Sequence, residues 1–351
     1  MKLKKTVLFI SVNNGSDTRI RKEIKTLQKQ CNLIFVGLES PDKPAINLVD
    51  GPEYVFLKGG TNQVSSYVKL FFLILKLRLR RQIYSVHVIN ETCLLSCFLP
   101  LLGKPIVLDI FDSLFLKRAQ FLKDSIIERM VHGIPKFIIV TDENRKELIH
   151  KKQQGKTLVA PNYPFLSDFQ EVLPFDNGKL NIAFVGSLQK TRGTELLKGL
   201  LSADVNKHLK IHMVGWIYDD ISSEISKHEQ TIYYGVKEQF EALNICGQCD
   251  YLISLYAPIS QNNINASPNK IFDGILQGIP VIINKEVKVS SLVEELNVGF
   301  ILEDYYDNKY LQVLNALIEQ KNSFFQKEIN KKDYTWESIE LKLLNSHDIN
   351  K

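Results

Sequence analysis

Short runs of apolar residues alternate along the chain with stretches in which apolar residues recur every three to four positions. Residues 6–12 and 180–187 are two of the apolar runs, and an unbroken run of this kind is typical of a parallel strand that is buried on both faces. Each is followed by a polar loop and a helical pattern, at residues 18–30 after the first run and 194–201 after the second. Because a strand, a crossover helix and a parallel strand form a right-handed unit, the pattern predicts an α/β protein with two Rossmann-like halves.

Length, composition and charge agree with a globular protein of two domains. A chain of 351 residues exceeds the size at which single hydrophobic cores stop growing. Its hydrophobic content of 44% and charged content of 24% are those of globular proteins. The net charge of +5 is mildly basic, and it suits an anionic membrane surface or anionic substrates as well as nucleic acid.

One stretch of the C-terminal half, residues 266–283, combines a loop, a helix, a tight turn and a buried strand. Pro268 suits the start of the helix, because its fixed φ fits the first turn and its missing N–H is no loss there, and Gly278 suits the end. Lys270 lies in the first turn, and Asp273 lies roughly 5 Å further along the axis. An ammonium beside free N–H groups predicts a diphosphate site, and the carboxylate can accept hydrogen bonds from ribose or sugar hydroxyls. The alternative is an ordinary buried helix with a solvated lysine and aspartate.

A loop after another apolar run offers a second contact to phosphate. Residues 186–193 contain Gly186 and Arg192 and lead into a predicted helix. Glycine permits a close approach of the backbone, and an arginine can bind two phosphate oxygens at once. An ordinary turn with an exposed arginine has the same pattern.

Polar residues end the predicted strands of the N-terminal half. Asn90 and Glu91 follow one apolar run, and Asp109 and Asp112 lie in the next. Because the carboxyl ends of parallel strands line the ligand crevice, these four are acid or base candidates, with a helix cap as the alternative for Asp112. Asp17 follows the first strand, where a helix cap is again the alternative. That loop is not Gly-x-Gly-x-x-Gly, which argues against a nicotinamide-binding site.

Residues 67–81 combine an apolar helical pattern with several basic residues. The basic positions are Lys69, Lys76, Arg78, Arg80 and Arg81. Two structures fit the pattern, a core-packed helix with a basic end and an interfacial helix that docks on anionic lipid. Nucleic acid is not expected as a partner, because basic residues are not concentrated with aromatic residues on one predicted face.

The cysteines and the apolar segments bear on the compartment. Five cysteines, an odd number in a chain this long, favour a reduced cytoplasmic setting over a disulfide framework. A zinc site needs two cysteine pairs that meet in space, so we expect buried thiols and no metal site. We find no signal peptide and no apolar stretch of the roughly 20 residues that span a bilayer. A cytoplasmic protein is therefore expected, with peripheral attachment to the inner face of the cell membrane if residues 67–81 form the interfacial helix.

Several of these motifs resemble those of the GT-B glycosyltransferases, in particular the group 1 (GT4-like) family. Residues 268–281 are similar to the family signature Pro-x-Lys-x-x-Glu-(Tyr)-x-x-x-Gly-x-Pro-Val, with aspartate in place of the glutamate. Residues 17–23 resemble the Asp-x-Arg-Val-x-x-Glu that opens many members, and residues 186–193 resemble the family's phosphate loop, with Ser187 where a second arginine is common. Residues 334–337 resemble the Tyr-Ser-Trp-Glu that starts its terminal helix. The N-terminal strand pattern departs from the family at Phe111, where a histidine is usual.

The resemblance implies an architecture and an activity. It implies two Rossmann-like domains that face a cleft, at residues 1–166 and 180–330, joined by a linker at 167–179, with a terminal helix in 331–351 that packs across both. The implied activity is transfer of a hexose from a UDP- or GDP-sugar to an acceptor hydroxyl without a metal ion or another cofactor. We expect the acceptor to be a lipid-linked glycan in bacterial surface polysaccharide synthesis.

The resemblance also implies roles for single residues. The implied nucleotide-sugar ligands are Gly186, Arg192, Val236, Lys237, Pro268, Asn269, Lys270 and Asp273. Among them, Lys270 and Arg192 would contact the diphosphate, the turn at Val236 would hold the base, and Asp273 the ribose or donor sugar. The implied residues on the acceptor side are Arg19, Asn90 and Glu91. Asp112 or Asp17 would be the general base of an inverting enzyme, whereas a retaining enzyme needs no such base.

Two other classes of function fit parts of the sequence. A non-catalytic module of the same fold would bind a nucleotide or a glycan without turnover. A Rossmann oxidoreductase would bind a nicotinamide cofactor. Hydrolysis of UDP- or GDP-sugars distinguishes a transferase from both.

Overall fold

The computed structural model describes residues 4–41, 44–46, 49–60 and 63–348. These residues form two compact units. The first contains the described residues up to Pro161 and those from Ile339 onward, and the second contains Asn162–Ser338. The last helix of the chain therefore belongs to the first unit, and residues 167–179, predicted as a linker, belong to the second.

Each unit is built on a parallel sheet. The strands of the first unit are β1 (Thr6–Ile10), β2 (Asn32–Glu39), β3 (Glu53–Lys58), β4 (Ser85–Ile89), β5 (Ile106–Asp109), β6 (Phe137–Val140) and β7 (Thr157–Val159). The strands of the second unit are β8 (Leu180–Leu188), β9 (Leu209–Ile217), β10 (Thr231–Tyr233), β11 (Tyr251–Ile253), β12 (Val281–Asn284) and β13 (Gly299–Leu302). Their orders are β3-β2-β1-β4-β5-β6-β7 and β10-β9-β8-β11-β12-β13. In both sheets the order reverses beside the first strand, which creates the switch point where open α/β sheets bind ligands.

Helices connect most successive strands. Those before the second unit are α1 (Thr18–Leu27), α2 (Val64–Arg80), α3 (Asn90–Leu101), α4 (Leu114–Lys117), α5 (Ile126–Gly133) and α6 (Glu143–Glu147). Those of the second unit are α7 (Thr194–Ala203), α8 (Asp220–Ser226), α9 (Gln239–Gly247), α10 (Gln261–Ile264), α11 (Asn269–Gln277), α12 (Ser290–Leu296) and α13 (Tyr310–Glu319). The final helix is α14 (Glu340–Ser346).

Helices cover both faces of the first sheet. On one face, Leu70 and Ile74 of α2 and Cys97 of α3 pack into a core with alternate residues of the strands. On the other face α14 lies against α1, where the hydroxyl of Thr26 donates to the carboxylate of Glu340 over 2.9 Å. Because both faces of the central strands β1, β4 and β5 are covered, these strands are buried and mostly apolar.

The second sheet is also covered on both faces. Leu197 of α7 and Leu317 of α13 pack in the core on one side. Ile271 and Ile275 of α11 pack in the core on the other, together with Val293 of α12. The apolar stripe predicted for α11 is therefore buried against the sheet, and the α/β class with two Rossmann-like halves is confirmed.

The stretch at residues 114–132 has enough apolar residues for one long helix but does not form one. The structure has α4, a 3-10 turn at Gln120–Leu122 and α5 in its place. Asp124 has a φ of +63°, in the left-handed region, which no α-helix continues through. Ser125 then caps α5 by accepting a hydrogen bond from the N–H of Glu128 over 3.3 Å. The polar residues between the two apolar stretches interrupt the helical conformation and then cap α5.

The beginning of α3 also differs from the prediction. Asn90 and Glu91, expected to end a strand, form the first turn of this helix. Asn90 has a φ of +61°, a conformation that asparagine tolerates better than most residues. The strand and the helix thus meet without an intervening loop.

In the part of the chain that is described, we find no helix long and apolar enough to span a bilayer.

Candidate functional site

The carboxyl edge of the second sheet collects most of the residues predicted to bind a nucleotide sugar. The switch point lies between β8 and β11. Residues 186–193 comprise the end of β8 and the loop after it, and residues 254–268 follow β11, so the two segments flank this point. The N–H of Ala257 donates to the carbonyl of Thr191 over 3.0 Å. The two loops are therefore in direct contact.

Glycines shape the end of β8 and the loop after it. Gly186 and Gly193 have φ values of +107° and +111°, in the left-handed region that favours glycine. A Cβ on Gly193 would lie 2.9 Å from the side chain of Leu255. These residues let the loop turn tightly and approach the strand beside it, with a 3-10 turn at Lys190–Arg192 between them.

Arg192 is held flat against an aromatic ring and keeps one donor unused. Its guanidinium carbon lies 3.6 Å from the centroid of the Tyr256 ring, a stacking arrangement that arginine favours. Its Nη1 is buried and has no hydrogen-bond partner among the described residues. A buried donor without a partner is costly, and an anionic oxygen would satisfy it. This is the geometry expected of a phosphate ligand.

Asn284, at the end of β12, holds the tyrosine on which Arg192 stacks. Its Oδ1 accepts from the N–H of Tyr256 over 2.9 Å, and its Nδ2 donates to the carbonyl of Tyr256 over 3.0 Å. Asn284 is fully buried. Sequence reasoning missed both residues, although Asn284 carries the signal applied to Asn90, a polar side chain at a strand's carboxyl end.

The helix α11 begins at the same edge, because a helix in a parallel β/α unit runs opposite to its strands. Pro268 precedes the first helical residue and provides no side-chain cap. Gly278 ends the helix with a φ of +75°, so the predicted start and stop are confirmed to within one residue. The helix α7 likewise begins after Gly193 without a side-chain cap. Two helix N-termini therefore have first-turn N–H groups to offer to an anion.

The two predicted side chains of α11 differ in exposure. Lys270 is half-buried, whereas Asp273 is only 5% exposed. Burial raises the pKa of the neighbouring Cys246 thiol to about 12, with the charge of Lys270 opposing this rise and that of Asp273 adding to it. Asn269 accepts a hydrogen bond from the amide of Asn162, within the same unit. The structure thus brings Pro268, Asn269 and Lys270 to the edge, with Asp273 behind them.

The turn after β10 lies further along the edge. Val236 is exposed, and the ammonium of Lys237 lies 3.7 Å from the carboxylate of Glu241. Gly235 has a φ of +73°, and its carbonyl accepts from the N–H of Gly215 over 2.9 Å. Because β10 is two strands from β8 and neighbouring strands are about 4.8 Å apart, Val236 and Lys237 are roughly 10 Å from the phosphate loop. This distance suits a nucleotide whose nucleobase is bound at the turn and whose diphosphate is bound at the loop.

In the first unit, Asp17 caps a helix. Its Oδ1 accepts from the N–H groups of Arg19 and Ile20 over 2.8 and 3.2 Å. Desolvation raises the pKa of this carboxyl, and those two hydrogen bonds partly oppose the rise. The cap that was the alternative for Asp17 is therefore present, and its role as a base stays a prediction.

Two residues predicted on the acceptor side are buried inside the first unit. Arg19 is engaged by Asp109. Glu91 is fully buried and accepts from the hydroxyl of Ser113 over 2.9 Å and from the N–H of Leu114 over 3.0 Å. Neither can touch an acceptor in this conformation, which corrects their assignment. A polar side chain at a strand end can anchor the next loop as readily as it can face a ligand.

Asn90 and Asp112 belong to the same loop system, and only Asp112 is well exposed. The Oδ1 of Asn90 accepts from the N–H groups of Phe111 and Asp112 over 2.8 and 3.0 Å. Half of the Asp112 side chain is exposed, and its carboxylate lies 3.2 Å from the ammonium of Lys117. Ser113 caps α4 in its place. Asp112 is thus presented on a firmly held backbone.

The comparisons with known proteins concern the fold. No family model and no curated protein matches the chain. A sucrose-phosphate synthase from Thermosynechococcus elongatus superposes with a TM-score of 0.73 at 13% identity, covering 98% of each chain. HepE from Anabaena, in complex with UDP-glucose, superposes with a TM-score of 0.68 at 12% identity, covering 98% of this chain and 99% of its own.

The chain has the GT-B fold. The resemblance predicted it, and these two GT-B glycosyltransferases confirm it. A protein described as a UDP-N-acetylglucosamine 2-epimerase from Listeria monocytogenes also superposes, with a TM-score of 0.67 at 11% identity, covering 99% of this chain and 98% of that one. Because the same fold serves different activities, the activity has to be argued from the site.

Proposed function

We propose that this protein is a glycosyltransferase that moves a sugar from a nucleoside diphosphate to an acceptor hydroxyl. The observation that carries the proposal is the buried, unused Nη1 donor of Arg192, located at the switch point next to two helix N-termini without side-chain caps. HepE, which superposes on this chain and whose structure is a complex with UDP-glucose, supports this choice of ligand.

The chemistry follows from where charge develops. When the bond between the sugar and the diphosphate breaks, negative charge accumulates on the leaving phosphate. Arg192, Lys270 and the first-turn N–H groups of α7 and α11 would stabilise that charge, and preorganised donors of this kind make the largest contribution in many enzymes. The protein's own cations would therefore do the work that a divalent ion does elsewhere, and we propose a metal-independent hexosyltransferase. Asp273 would orient the ribose or the sugar from behind Lys270.

Asp112 is the better of the two candidate bases. Its carboxylate is half exposed, and the backbone N–H groups around it are held by Asn90. The Oδ1 of Asp17, by contrast, is occupied by two N–H groups of α1. In an inverting reaction Asp112 would remove the proton from the acceptor hydroxyl as the sugar is transferred.

The direct experiment is a screen of UDP- and GDP-sugars for nucleotide release. A transferase releases the nucleoside diphosphate, slowly to water and faster with an acceptor. A non-catalytic binding module, the second candidate, binds the nucleotide with no release. An epimerase returns a changed nucleotide sugar with the nucleotide still attached.

The tyrosine platform can be tested separately. Replacing Asn284 with alanine removes two hydrogen bonds to Tyr256, each worth about 1 kcal/mol, and leaves the ring under Arg192 loosely held. We expect the dissociation constant for UDP or GDP to rise about tenfold, measured by calorimetry. Unchanged nucleotide affinity in a folded variant would show that the platform does not serve this ligand.

The acceptor is proposed to be lipid-linked, because α2 carries an apolar outer face. Its inward residues, such as Leu70 and Ile74, are buried in the core. Its outward residues at helical spacing are exposed, and they are Val64, Val68, Phe72, Leu75 and Leu79. One side of α2 therefore packs in the core, as the first alternative for this segment expects. The exposed apolar groups on its other side support the second alternative, an interfacial helix.

The charge around this face suits an anionic lipid surface. Residues 54–108 contain seven lysines and arginines and a single acid, Glu91, which is buried. Arg78 donates to the carbonyl of Pro100 over 3.1 Å and so ties α2 to α3, whose Leu95 and Leu99 are also exposed. A basic surface with exposed apolar groups is the composition that binds anionic bilayers. We propose attachment to the inner face of the cell membrane, in the synthesis of a surface polysaccharide.

Vesicle co-sedimentation tests this attachment. The wild-type protein should bind vesicles that contain phosphatidylglycerol, and binding should weaken with salt and in vesicles of phosphatidylcholine alone. A Phe72→Ser/Leu79→Ser variant should lose most of the binding. The matched control is Leu173→Ser/Val205→Ser, which removes two exposed apolar residues of the second unit. Equal binding by both variants, or equal binding to neutral vesicles, would contradict the proposal.

A further inference from the structure

The interior of the first unit holds a connected set of titratable side chains, here called the buried relay. Its members come from α1, β4, β5 and the residue after α14, and they are Arg19, Glu23, Ser85, His87, Asp109 and His347. None of these six is more than 2% exposed. Interior charges normally occur in matched pairs, so the relay needs an account of its charge and its protons.

The contacts run from the C-terminal segment to the start of α1. The hydroxyl of Ser85 lies 2.9 Å from Nδ1 of His347, and Nε2 of His347 lies 3.0 Å from Nδ1 of His87. The Nε2 of His87 lies 3.3 Å from a carboxylate oxygen of Glu23. If each ring is neutral with its proton on Nε2, every one of these contacts has one donor and one acceptor. Each group then donates to the next one in the order Ser85, His347, His87 and Glu23.

At the far end of this series of contacts lie two carboxylates and one arginine. The Nη2 and Nε of Arg19 donate to Oδ2 of Asp109 over 2.8 and 3.1 Å, and Nε also lies 3.1 Å from Oε1 of Glu23. Ligand atoms of Glu23, His87 and Asp109 all lie within 4.8 Å of one another. Among the described residues, Nε2 of His87, Oδ1 of Asp109 and both oxygens of Glu23 have no hydrogen-bond partner of good geometry, so His87 and Glu23 make a close approach of a donor and an acceptor.

The charges of this group balance only if one more positive charge is present. Arg19 contributes one positive charge, and ionised Glu23 and Asp109 contribute two negative ones. A single proton between the two carboxyls would bring the sum to zero and would supply the missing donor. A divalent ion would leave an excess positive charge directly beside the guanidinium, which is unfavourable without water.

We propose that Glu23 and Asp109 share one proton, that His87 and His347 complete this arrangement as neutral rings, and that the buried relay thereby fixes Arg19 as a positioning residue. Arg19 links both loops that carry the candidate bases. Its backbone N–H is capped by Asp17, and its guanidinium lies 5.2 Å from the ring of Phe111, the neighbour of Asp112. Its Nη1 also donates to the carbonyl of Ala160, after β7. The positioning part rests on the proposed function, whereas the shared proton does not.

The direction of each pKa agrees with this arrangement. Burial raises the pKa of Asp109 well above its usual range, and the charge of Arg19 opposes the rise without reversing it. Burial also raises the pKa of Glu23. Burial lowers the pKa of His87 to about 4 and that of His347 well below its usual range. At neutral pH the rings are therefore uncharged, and the upward direction at both carboxyls favours a proton held between them.

Other charged groups face the relay from the elements around it. These are Asp17 and Lys22 on α1, Asp348 after His347, and Lys136, which forms an ion pair with Asp348. Asp17 and Lys22 carry opposite charges, and Asp348 is paired with Lys136, so together these groups leave the charge balance of the relay unchanged.

Nitrogen NMR of the histidine rings tests the hydrogen-bond direction without any turnover. The full-length protein is labelled with 15N-histidine, and His87→Gln and His347→Gln variants assign the two rings. At pH 7 we expect both rings neutral, with the proton on Nε2. A charged ring, or a proton on Nδ1 of either ring, would overturn the relay as described.

Amide variants test the shared proton. Above the pKa of its unfolded carboxyls the wild type must take up a proton to fold, whereas an amide need not, so Glu23→Gln and Asp109→Asn should each melt no lower than the wild type at pH 7. The double variant leaves Arg19 unmatched and should melt far lower than the sum of the single effects predicts. Single variants that melt well below the wild type at pH 7 would show that both carboxylates are ionised and matched by other positive charge, and would overturn the proposal. So would a rise in melting temperature on addition of Zn²⁺ or Mn²⁺ that either single variant abolishes.

The pH dependence of the melting temperature is a second test of the shared proton. A carboxyl whose pKa is raised by folding contributes stability at low pH that is lost as pH rises through the folded pKa. The wild type should therefore lose stability on the alkaline side relative to Glu23→Gln and Asp109→Asn. Parallel curves for the three proteins would contradict a shared proton.

Steady-state kinetics test the positioning of the loops. In the double variant, assayed below its melting temperature, we expect kcat to fall while KM for the nucleotide sugar stays unchanged, because the donor ligands lie in the second unit. The Glu23→Gln variant, which keeps Arg19 matched, should retain kcat. An unchanged kcat in the double variant would overturn the positioning role. A wild type without turnover would instead count against the proposed function, and the NMR and melting results would stand.

Discussion

Replacing Lys270 with alanine is expected to lower the turnover of a nucleotide sugar by about 10²- to 10³-fold, the usual cost of removing one group that stabilises developing charge. Lys270 lies in the first turn of α11, which begins at the edge where the unused donor of Arg192 also lies. Because the charge on the diphosphate grows as the bond breaks, the loss should appear mainly in kcat, with a smaller rise in KM. Nucleotide release under saturating donor measures both.

A matched control separates this effect from a general loss of positive charge. Lys227→Ala removes a lysine at the end of α8, where the chain leads to the opposite edge of the sheet, and it should leave turnover unchanged. Lys270→Arg keeps the charge and should recover part of the activity. If Lys270→Ala were as active as Lys227→Ala, α11 would not be the diphosphate site.

Replacing Asp112 with asparagine is expected to lower kcat by about 10²- to 10⁴-fold, the range for loss of a general base. The substitution keeps the size of the side chain, and the backbone contacts from Asn90 do not depend on the carboxylate. Folding should therefore be preserved, and KM for the donor should change little. Transfer to an acceptor, rather than hydrolysis of the donor alone, is the reaction to measure.

Asp17→Asn is the matched comparison for Asp112→Asn. Asparagine caps helices about as well as aspartate, so this variant should keep both its stability and its activity. The opposite pattern, with activity lost in Asp17→Asn and kept in Asp112→Asn, would exchange the two roles. No loss in either variant would indicate a retaining reaction without a protein base.

The features of the second unit that sequence predicted best are local ones. The start and stop of α11 follow from Pro268 and Gly278, and its buried side follows from helical spacing, so neighbouring residues alone determine them. The partner of Arg192 could not be found in this way, because Tyr256 lies 64 positions away and reaches the arginine only after two strands have paired. Asn284 was missed for the same reason, since its two hydrogen bonds cross from β12 to the loop after β11.

The assignments that failed concern burial. Glu91 and Arg19 were placed on the acceptor side because polar residues end strands, yet both are enclosed by other parts of the first unit. Polarity at a strand end indicates an important contact without saying whether its partner is protein or ligand. The buried relay is a stronger case, because His347 meets His87 from 260 positions away. Fold class, by contrast, followed from repeated apolar runs that many residues share.

The central claim is that the second unit holds a nucleoside diphosphate as a leaving group, and a donor screen measures it most directly. Wild-type protein and Lys270→Ala are incubated with UDP- and GDP-sugars, and free nucleoside diphosphate and the fate of the sugar are followed together. We predict release of UDP or GDP from at least one donor by the wild type, accelerated by a lipid-linked acceptor and almost absent in Lys270→Ala. Tight binding of the nucleotide sugar with no release, or a changed sugar still joined to its nucleotide, would contradict the account.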